Sequence, residues 1–409
     1  MTQRYLIIIA YMIVLVVAGL IWPGETPFFQ AYLEILTEPS MLVSDFFVVG
    51  GIGPALFNAG LVGLMGTAIV YFSKAALSGP TIAALFTLAG FALFGKTPLN
   101  IMPIIIGVAL GARLVKKPFQ AYVTTALFGT ALGPVVSVIA YGLSLGYWAG
   151  ALAGVLIGLV LPATAQHVLQ NHQGLSLYNV GFTCGIVGIF AAAILKQFGF
   201  IVEPTMIWGT HSQATLATFF SLYCISMIIL GWKGRANLKA LWKMPGTLPT
   251  DFVEAQGLST TFLNMGLVGL MGMAYIALVR GHFNGATIGG VLTMVGFAAL
   301  GKHVRNVWPI MLGILLASLI SIWNPSSPAV LLAALFGTTL APVAGSFGPL
   351  IGVLAGAVHL AVVMHTGTFH GGMNLYNNGF AGGLVGTLVA GMSMWLSQNQ
   401  AIQARSDKE

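Results

Sequence analysis

Long apolar blocks alternate with short polar connections along the whole chain. The blocks are about 17–25 residues long, the length at which an α-helix spans the hydrocarbon of a bilayer. Their apolar residues run continuously and do not alternate with polar ones, which favours helices over the strands of a barrel. The pattern therefore predicts an all-α integral membrane protein.

The blocks divide into about seven predicted segments in each half of the chain. Segments with internal glycine and proline, at Gly133–Pro134 and Pro342, are candidates for broken or re-entrant helices, so the total is roughly 12–14. The predicted segments are 5–22, 42–73, 80–95, 98–115, 120–142, 147–165 and 175–197, then 213–232, 255–279, 284–301, 307–323, 328–342, 347–364 and 374–397.

The two halves repeat one another in sequence. The stretch "LFNAGLVGLMG" from Leu56 recurs as "FLNMGLVGLMG" from Phe262, at an offset of 264 − 58 = 206 residues. Near the end of each half, "YNVGF" at Tyr178 matches "YNNGF" at Tyr376. The second match lies at 376 − 178 = 198 residues. Matches at nearly the same spacing over most of the chain indicate duplicated structural units. We predict a first membrane repeat at 1–205, a second at 206–400 and a cytoplasmic tail at 401–409.

The charged residues predict how the two repeats are oriented. An odd number of segments in the first repeat makes the second enter the membrane from the opposite side. The loop after the first predicted helix is acidic and its counterpart is basic, as the positive-inside rule requires of an inverted repeat. We therefore expect inverted topology in the plasma (inner) membrane, with both termini cytoplasmic. The two loops carry Glu25, Glu34, Glu38 and Asp45, and Lys233, Arg235, Lys239 and Lys243, respectively.

Composition supports a membrane protein and argues against a soluble or nucleic-acid-binding protein. Charged residues make up 6% of the chain, against about 25% in soluble domains. The net charge of +7 comes from basic residues at segment ends, with no basic stripe for nucleic acid. Cys184 and Cys224 lie inside apolar runs and are predicted to be buried thiols. No cofactor is indicated.

Asparagine opens a repeated Asn-x-Gly pattern four times. In two symmetric pairs it precedes or interrupts an apolar run, where an amide and a glycine could mark a helix that starts at depth. One interpretation is a polar substrate pathway, also lined by Tyr178 and Tyr376. The other is that the amides cap helices or hydrogen-bond across the bundle. The four asparagines are Asn58, Asn179, Asn264 and Asn377.

Two further pairs of polar residues stand beside helix breakers. In the Asn-x-x-Pro pairs, the plain interpretation is a helix start with proline in its first turn, and the functional one is a pathway-lining break. In "FGTALGP" and "FGTTLAP", glycine and proline could unwind a helix and expose carbonyls, as in a re-entrant filter. Lys96 and Lys302 fall at predicted segment ends and are expected to snorkel. The pathway candidates are Asn100, Asn306, Thr130 and Thr338.

Paired histidines precede the Tyr-Asn motifs. His167 and His172, like His365 and His370, are five residues apart, a spacing that points them away from each other on a helix. No cysteine or carboxylate nearby completes a metal site, so none is predicted. The alternatives are polar contacts at helix ends, and gating or proton shuttling.

The carboxylates suggest what the protein carries. All nine fall in predicted loops, tails or segment edges, whereas proton- and sodium-driven transporters commonly use an intramembrane carboxylate. This favours a channel or transporter for a neutral or small anionic solute, with its path between the inverted repeats, and no enzymatic activity. The alternatives are a membrane-embedded enzyme using the paired histidines and a structural membrane subunit. Expected partners are the solute and membrane lipid, with a homo-oligomer left open.

Through "FNAGLVGLMG" and "YNNGFAGG" the chain resembles an uncharacterised bacterial and archaeal membrane family of about this length, a domain of unknown function. The resemblance spans essentially the whole chain and implies no particular activity. The Asn-Gly helix starts are also loosely similar to those of urea transporters, which implies transport of a small solute.

Overall fold

The computed structural model of this protein describes residues 3–202, 204–210 and 213–406. The first half contains ten α-helices in the described residues, with one short strand, β1, at Val43–Ser44. The helices are α1 (Gln3–Ile21), α2 (Phe28–Thr37), α3 (Phe46–Val49), α4 (Ile52–Phe72), α5 (Gly79–Phe91), α6 (Pro98–Leu114), α7 (Val123–Gly129), α8 (Gly133–Ser137), α9 (Tyr147–His172) and α10 (Asn179–Gln197).

The helices of the second half follow the same order, but its strand comes first. This strand, β2 (Met206–Ile207), pairs in parallel with β1. In α13 the backbone breaks at Gly257, whose φ is 79°, at the position equivalent to the Gly50–Gly51 break between α3 and α4. The helices are α11 (Gln213–Gly231), α12 (Leu238–Leu241), α13 (Phe252–Leu278), α14 (Gly285–Phe297), α15 (Val304–Leu319), α16 (Pro328–Phe336), α17 (Ala341–Phe347), α18 (Pro349–Thr366) and α19 (Asn377–Ser406).

The described residues form 10 helical stretches that are long and apolar enough to cross a membrane, together with four shorter apolar helices, α5, α6, α14 and α15. Large apolar side chains cover the outer surface; Leu152 of α9 is 61% exposed and Phe190 of α10 is 65% exposed. Such an exterior suits lipid and not water. The predicted all-α membrane class is confirmed.

The centre of the molecule is the packed pair of α5 and α14, which are equivalent helices of the two halves. Gly79, at the start of α5, lies against Ala299 just beyond α14, and Gly285, at the start of α14, lies against Leu93 just beyond α5. The two helices therefore run antiparallel. Each has 13 residues, so each is about 20 Å long and cannot cross the ~30 Å hydrocarbon core alone.

An aspartate from each half caps the short helix of the other half. The Asp251 carboxylate accepts from the Gly79 N–H at 3.0 Å, and the Asp45 carboxylate accepts from the Gly285 N–H at 3.0 Å. A carboxylate stabilises a helix N-terminus because it satisfies free N–H groups and opposes the helix dipole.

Several predicted helix boundaries are wrong. Asn58 and Asn264 lie inside α4 and α13 and do not begin a helix, because the break in each half comes at an earlier glycine. Pro103 and Pro309 lie in the interior of α6 and α15, beyond the first turn. The predicted breaks near Pro134 and Pro342 are confirmed, because 3-10 turns at Thr130–Leu132 and Gly337–Leu340 interrupt those helices.

Candidate functional site

A cavity of about 260 Å³ lies between the two halves, beside the α5–α14 pair. Its wall is built largely from equivalent residues of the two halves, which makes it pseudo-symmetric. Its polar residues include threonines on α5 and α14, tyrosines just before α10 and α19, and Asn179 and Asn378 at the starts of those two helices. We call it the central cavity. The equivalent pairs are Thr87 and Thr293, Phe91 and Phe297, Phe128 and Phe336, Leu177 and Leu375, and Tyr178 and Tyr376.

The repeated Tyr-Asn-x-Gly-Phe motifs meet at this cavity. Asn179 begins α10 and Asn377 begins α19, as predicted, and the two helices cross at the glycines of the motifs. A Cβ atom added to Gly379 would lie 2.9 Å from the Cα of Gly181, closer than carbon atoms approach without moving. Only glycine permits this crossing, which places Tyr178 and Tyr376 side by side in the cavity wall.

Two lysines stand behind these tyrosines, and both are fully buried. Lys96 Nζ donates to the hydroxyl of Tyr376 at 2.7 Å. Lys302 Nζ donates to the hydroxyl of Tyr178 at 2.5 Å and to Thr338 Oγ1 at 2.7 Å. Each lysine thus bonds a tyrosine from the opposite half. The expectation that these lysines snorkel is wrong, because the short helices before them end inside the protein and leave no path to the surface.

The predicted pathway asparagines Asn58 and Asn264 hold the segments that carry the lysines. Asn58 Nδ2 donates to the carbonyls of Ala92 and Lys96 at 2.7 and 2.8 Å. Asn264 repeats this in the second half, with bonds of 2.9 and 2.8 Å to Ala298 and Lys302. These carbonyls follow the last turns of α5 and α14, where intrahelical donors run out. The amides therefore fix the exits of both short helices and do not line the central cavity.

Asn100 and Asn306 reinforce the same two segments from the other side. Each is the third residue of its helix and closes a capping box, with Thr97 and His303 respectively. Their Nδ2 atoms each donate at 2.9 Å to a glycine carbonyl of the preceding turn, Gly95 or Gly301. Both asparagines are buried and lie outside the wall of the central cavity.

The broken helices that contain Thr130 and Thr338 are tied to the opposite half. The Thr339 carbonyl accepts from the backbone N–H of Leu177 at 2.9 Å, and the Ala131 carbonyl accepts from that of Leu375 at 3.0 Å. Carbonyls freed by the breaks thus anchor the chain just before each Tyr-Asn motif. The hydroxyls of Thr130 and Thr338 donate to carbonyls one turn earlier.

The predicted histidine pairs are not brought together. His172 Nε2 bonds Asn179 Oδ1 at 3.0 Å, and His370 Nε2 bonds Asn377 Oδ1 at 3.1 Å. These contacts at helix starts match one of the alternatives predicted for them. His167 and His365 are exposed, one turn away.

A second cavity of about 290 Å³ adjoins the first and shares Phe336, Leu375 and Asn378 with it. It is lined by Val43 and Phe94, near the end of α5, whereas the central cavity extends to Pro80 at the start of that helix. The two cavities therefore approach one another from opposite ends of α5. Asn377 lines the second cavity and Asn179 lines the first.

Sequence reasoning missed Lys96 and Lys302 as parts of the site. A signal was available, because Gly95–Lys96 and Gly301–Lys302 recur at the repeat offset between two apolar segments with almost no connecting residues. A loop that short cannot lift a lysine out of the bilayer when the preceding helix is itself too short to span it.

Residues 25–197 and 233–394 match the family described as "Protein of unknown function (DUF1576)". The chain belongs to the DUF1576 family. The matched ranges contain both buried lysines and both Tyr-Asn motifs, and the resemblance to an uncharacterised family is confirmed. No curated protein and no solved structure matches this DUF1576 protein, so the similarity to urea transporters gains no support.

Proposed function

We propose that the protein carries a small polar solute across the membrane through the central cavity. The observation that carries this proposal is that equivalent residues of both halves, above all Tyr178 with Tyr376 and Thr87 with Thr293, line one cavity. Transporters built from inverted repeats hold their solute between the repeats, near the middle of the membrane. A structural subunit would have no comparable need for a polar cavity at its pseudo-symmetric centre.

The second cavity supports a path that continues past the central one. The two cavities reach towards opposite ends of α5 and are separated by side chains that include Phe336 and Leu375. Movement of these side chains, or a small shift of the two halves, would join them. A path of this kind gives access from either side in turn, as alternating access requires.

Inverted topology, which the proposal assumes, is supported by elements that lie at equivalent places. Tyr32 of the acidic α2 region donates to Asn58 Oδ1 at 3.5 Å, and Trp242 of the basic segment after α11 donates to Asn264 Oδ1 at 3.3 Å. These segments contact equivalent asparagines yet carry opposite charge. Under the positive-inside rule they lie on opposite sides of the membrane, with both termini cytoplasmic. The antiparallel α5 and α14 agree with this arrangement.

The cavity also limits the size of the solute. Its volume of about 260 Å³ falls below the ~300–1,000 Å³ of sites that take drug-sized ligands, so a solute of a few heavy atoms fits. Threonine and tyrosine hydroxyls, together with the amides of Asn179 and Asn378, suit a solute that hydrogen-bonds. Transport is preferred to catalysis because His172 and His370 are engaged by Asn179 and Asn377.

Filling the cavity tests the proposal. Thr87→Leu adds bulk at the wall, and we expect it to lower solute entry into proteoliposomes at least tenfold. Thr67→Leu is the matched control, since Thr67 is also a buried helical threonine but lies in α4, away from the cavity. Entry of isotope-labelled urea, formamide, formate and nitrate would be compared with that into protein-free liposomes. Equal entry with and without protein for every solute would overturn the proposal.

A further inference from the structure

The side-chain amines of Lys96 and Lys302 have no anionic partner in the part of the chain that the structure describes. Their polar contacts are hydroxyls: Tyr376 for Lys96, and Tyr178 with Thr338 for Lys302. The one fully buried carboxylate of the described residues, Asp45, accepts from backbone N–H groups instead. Two lysine amines are therefore enclosed near the centre of the protein with no carboxylate beside them among the described residues.

Charged amines in this position are costly, and a buried lysine gives up its proton unless a ligand brings the missing negative charge. An isolated ammonium loses its hydration on burial, and neutral hydroxyls replace only part of it. An ammonium offers three N–H donors, and Lys96 Nζ meets a single oxygen acceptor, that of Tyr376. Ionisable side chains inside membrane proteins face pathways and sites more often than they serve stability.

Both lysines lie one aromatic layer from the central cavity. Lys96 Nζ is 5.3 Å from the ring centroid of Phe91 and 4.6 Å from that of Tyr376. Lys302 Nζ is 5.2 and 4.5 Å from the centroids of Phe297 and Tyr178. All four rings line the cavity. In surroundings of low dielectric constant, a charge so placed acts strongly on a ligand inside.

The cavity wall also offers hydroxyl donors that the protein leaves unused. Thr87 lines the cavity, and its Oγ1 is buried without a hydrogen-bond partner among the described residues. By contrast, the equivalent Thr293 hydroxyl donates to the Gly289 carbonyl at 2.8 Å. The Tyr376 hydroxyl accepts from Lys96, which leaves its own O–H free to donate. An oxygen-bearing ligand would satisfy both groups.

We propose that the solute of the central cavity is a small anion, held by the Thr87 and tyrosine hydroxyls and electrostatically balanced by Lys96 and Lys302. This inference rests on the proposed function and narrows its substrate class from polar solutes to anions. Each lysine bonds the tyrosine hydroxyl of the opposite half, Lys96 with Tyr376 and Lys302 with Tyr178. Both halves therefore contribute a lysine and a tyrosine to the anion site. A neutral solute of the same shape would gain nothing from the buried charges.

Matched pairs of probes separate charge from shape. Formate with formamide, and nitrate with urea, are anions and neutral molecules of similar size and planarity. The measurement is uptake of each isotope-labelled probe at pH 8 into proteoliposomes preloaded with the same unlabelled compound. Preloading allows uptake through a channel and uptake by exchange to be detected in one assay. We expect entry of the anions to exceed that of their neutral partners at least tenfold after subtraction of protein-free liposomes.

Substitution of the lysines then tests their role. Lys96→Met and Lys302→Met should each lower anion entry at least tenfold. Because each removes a buried amine that has no anionic partner and retains an apolar side chain of similar length, the melting temperature should stay the same or rise. Lys196→Met, at an exposed lysine in the last turn of α10, is the matched control and should leave entry unchanged. If a lysine served only the stability of the fold, its replacement would lower anion entry and the melting temperature together.

The outcomes distinguish the two proposals. If the neutral probes enter as fast as the anions and Lys96→Met leaves entry unchanged, the anion assignment is overturned while the proposed transport stands. If no probe enters above the protein-free rate, the proposed function fails as well. Should the variants not fold, the wild-type melting temperature in detergent decides: it should rise with formate or nitrate at constant ionic strength and not with formamide or urea. A rise with the neutral probes alone would overturn the assignment.

Discussion

Removal of the Asn58 amide tests how the exit of α5 is held. Asn58 donates to two buried carbonyls, Ala92 and Lys96, at 2.7 and 2.8 Å, and Asn58→Leu leaves both without a donor. A buried group left unpaired costs about 1–3 kcal/mol, which gives about 2–6 kcal/mol for two. Hydrogen bonds between membrane helices average only ~0.6 kcal/mol, because other partners are available before folding. We expect a loss of about 2–3 kcal/mol, since both carbonyls are fixed here with no alternative donor.

The measurement is the free energy of unfolding in mixed micelles, titrated with SDS. Asn264→Leu should lose a similar amount, because Asn264 makes the equivalent pair of bonds. Asn58→Asp should lose more than Asn58→Leu, since it keeps the shape but points an oxygen at two carbonyl oxygens. Asn171→Leu, at an exposed position of α9, is the control and should change the free energy by under about 0.5 kcal/mol. A loss below about 0.6 kcal/mol for Asn58→Leu, the size of one average bond, would refute this account.

Two further predictions concern packing and topology. Gly379→Ala places a Cβ against the facing glycine of α10 and should cost about 1–3 kcal/mol by overpacking. Gly391→Ala, later in the same helix with nothing near its Cβ, is the control and should be neutral or slightly stabilising. Equal SDS titration curves for the two variants would contradict the crossing of α10 and α19. In intact cells, a maleimide that does not cross membranes should label Glu34→Cys. The same reagent should label Lys239→Cys only after the cells are permeabilised. Labelling of the native protein should be low, because both native cysteines are buried. Labelling of both from outside would contradict the inverted topology.

Length and continuity of the apolar blocks were enough to predict the long helices, because a helix in lipid must satisfy its backbone polar groups within itself and needs a fixed number of residues to cross. The short helices α2 and α12 were missed. The duplication could also be predicted from the sequence, because the offset of 206 residues between Asn58 and Asn264 is a property of the chain and needs no coordinates. The helix starts at Asn179 and Asn377 were also readable, since amide and glycine preferences act locally.

The roles of the polar residues were decided by the tertiary structure. Asn58 and Asn179 share one local pattern, yet Asn58 fixes the exit of another helix and Asn179 begins its own. Local preference cannot separate these roles, because the difference lies in which carbonyls come within reach after packing. Lys96 shows this most clearly. Its sequence neighbours predict the end of a membrane segment. Only the packing of the two halves brings its amine into contact with the hydroxyl of Tyr376, 280 positions away, in a site that water does not reach.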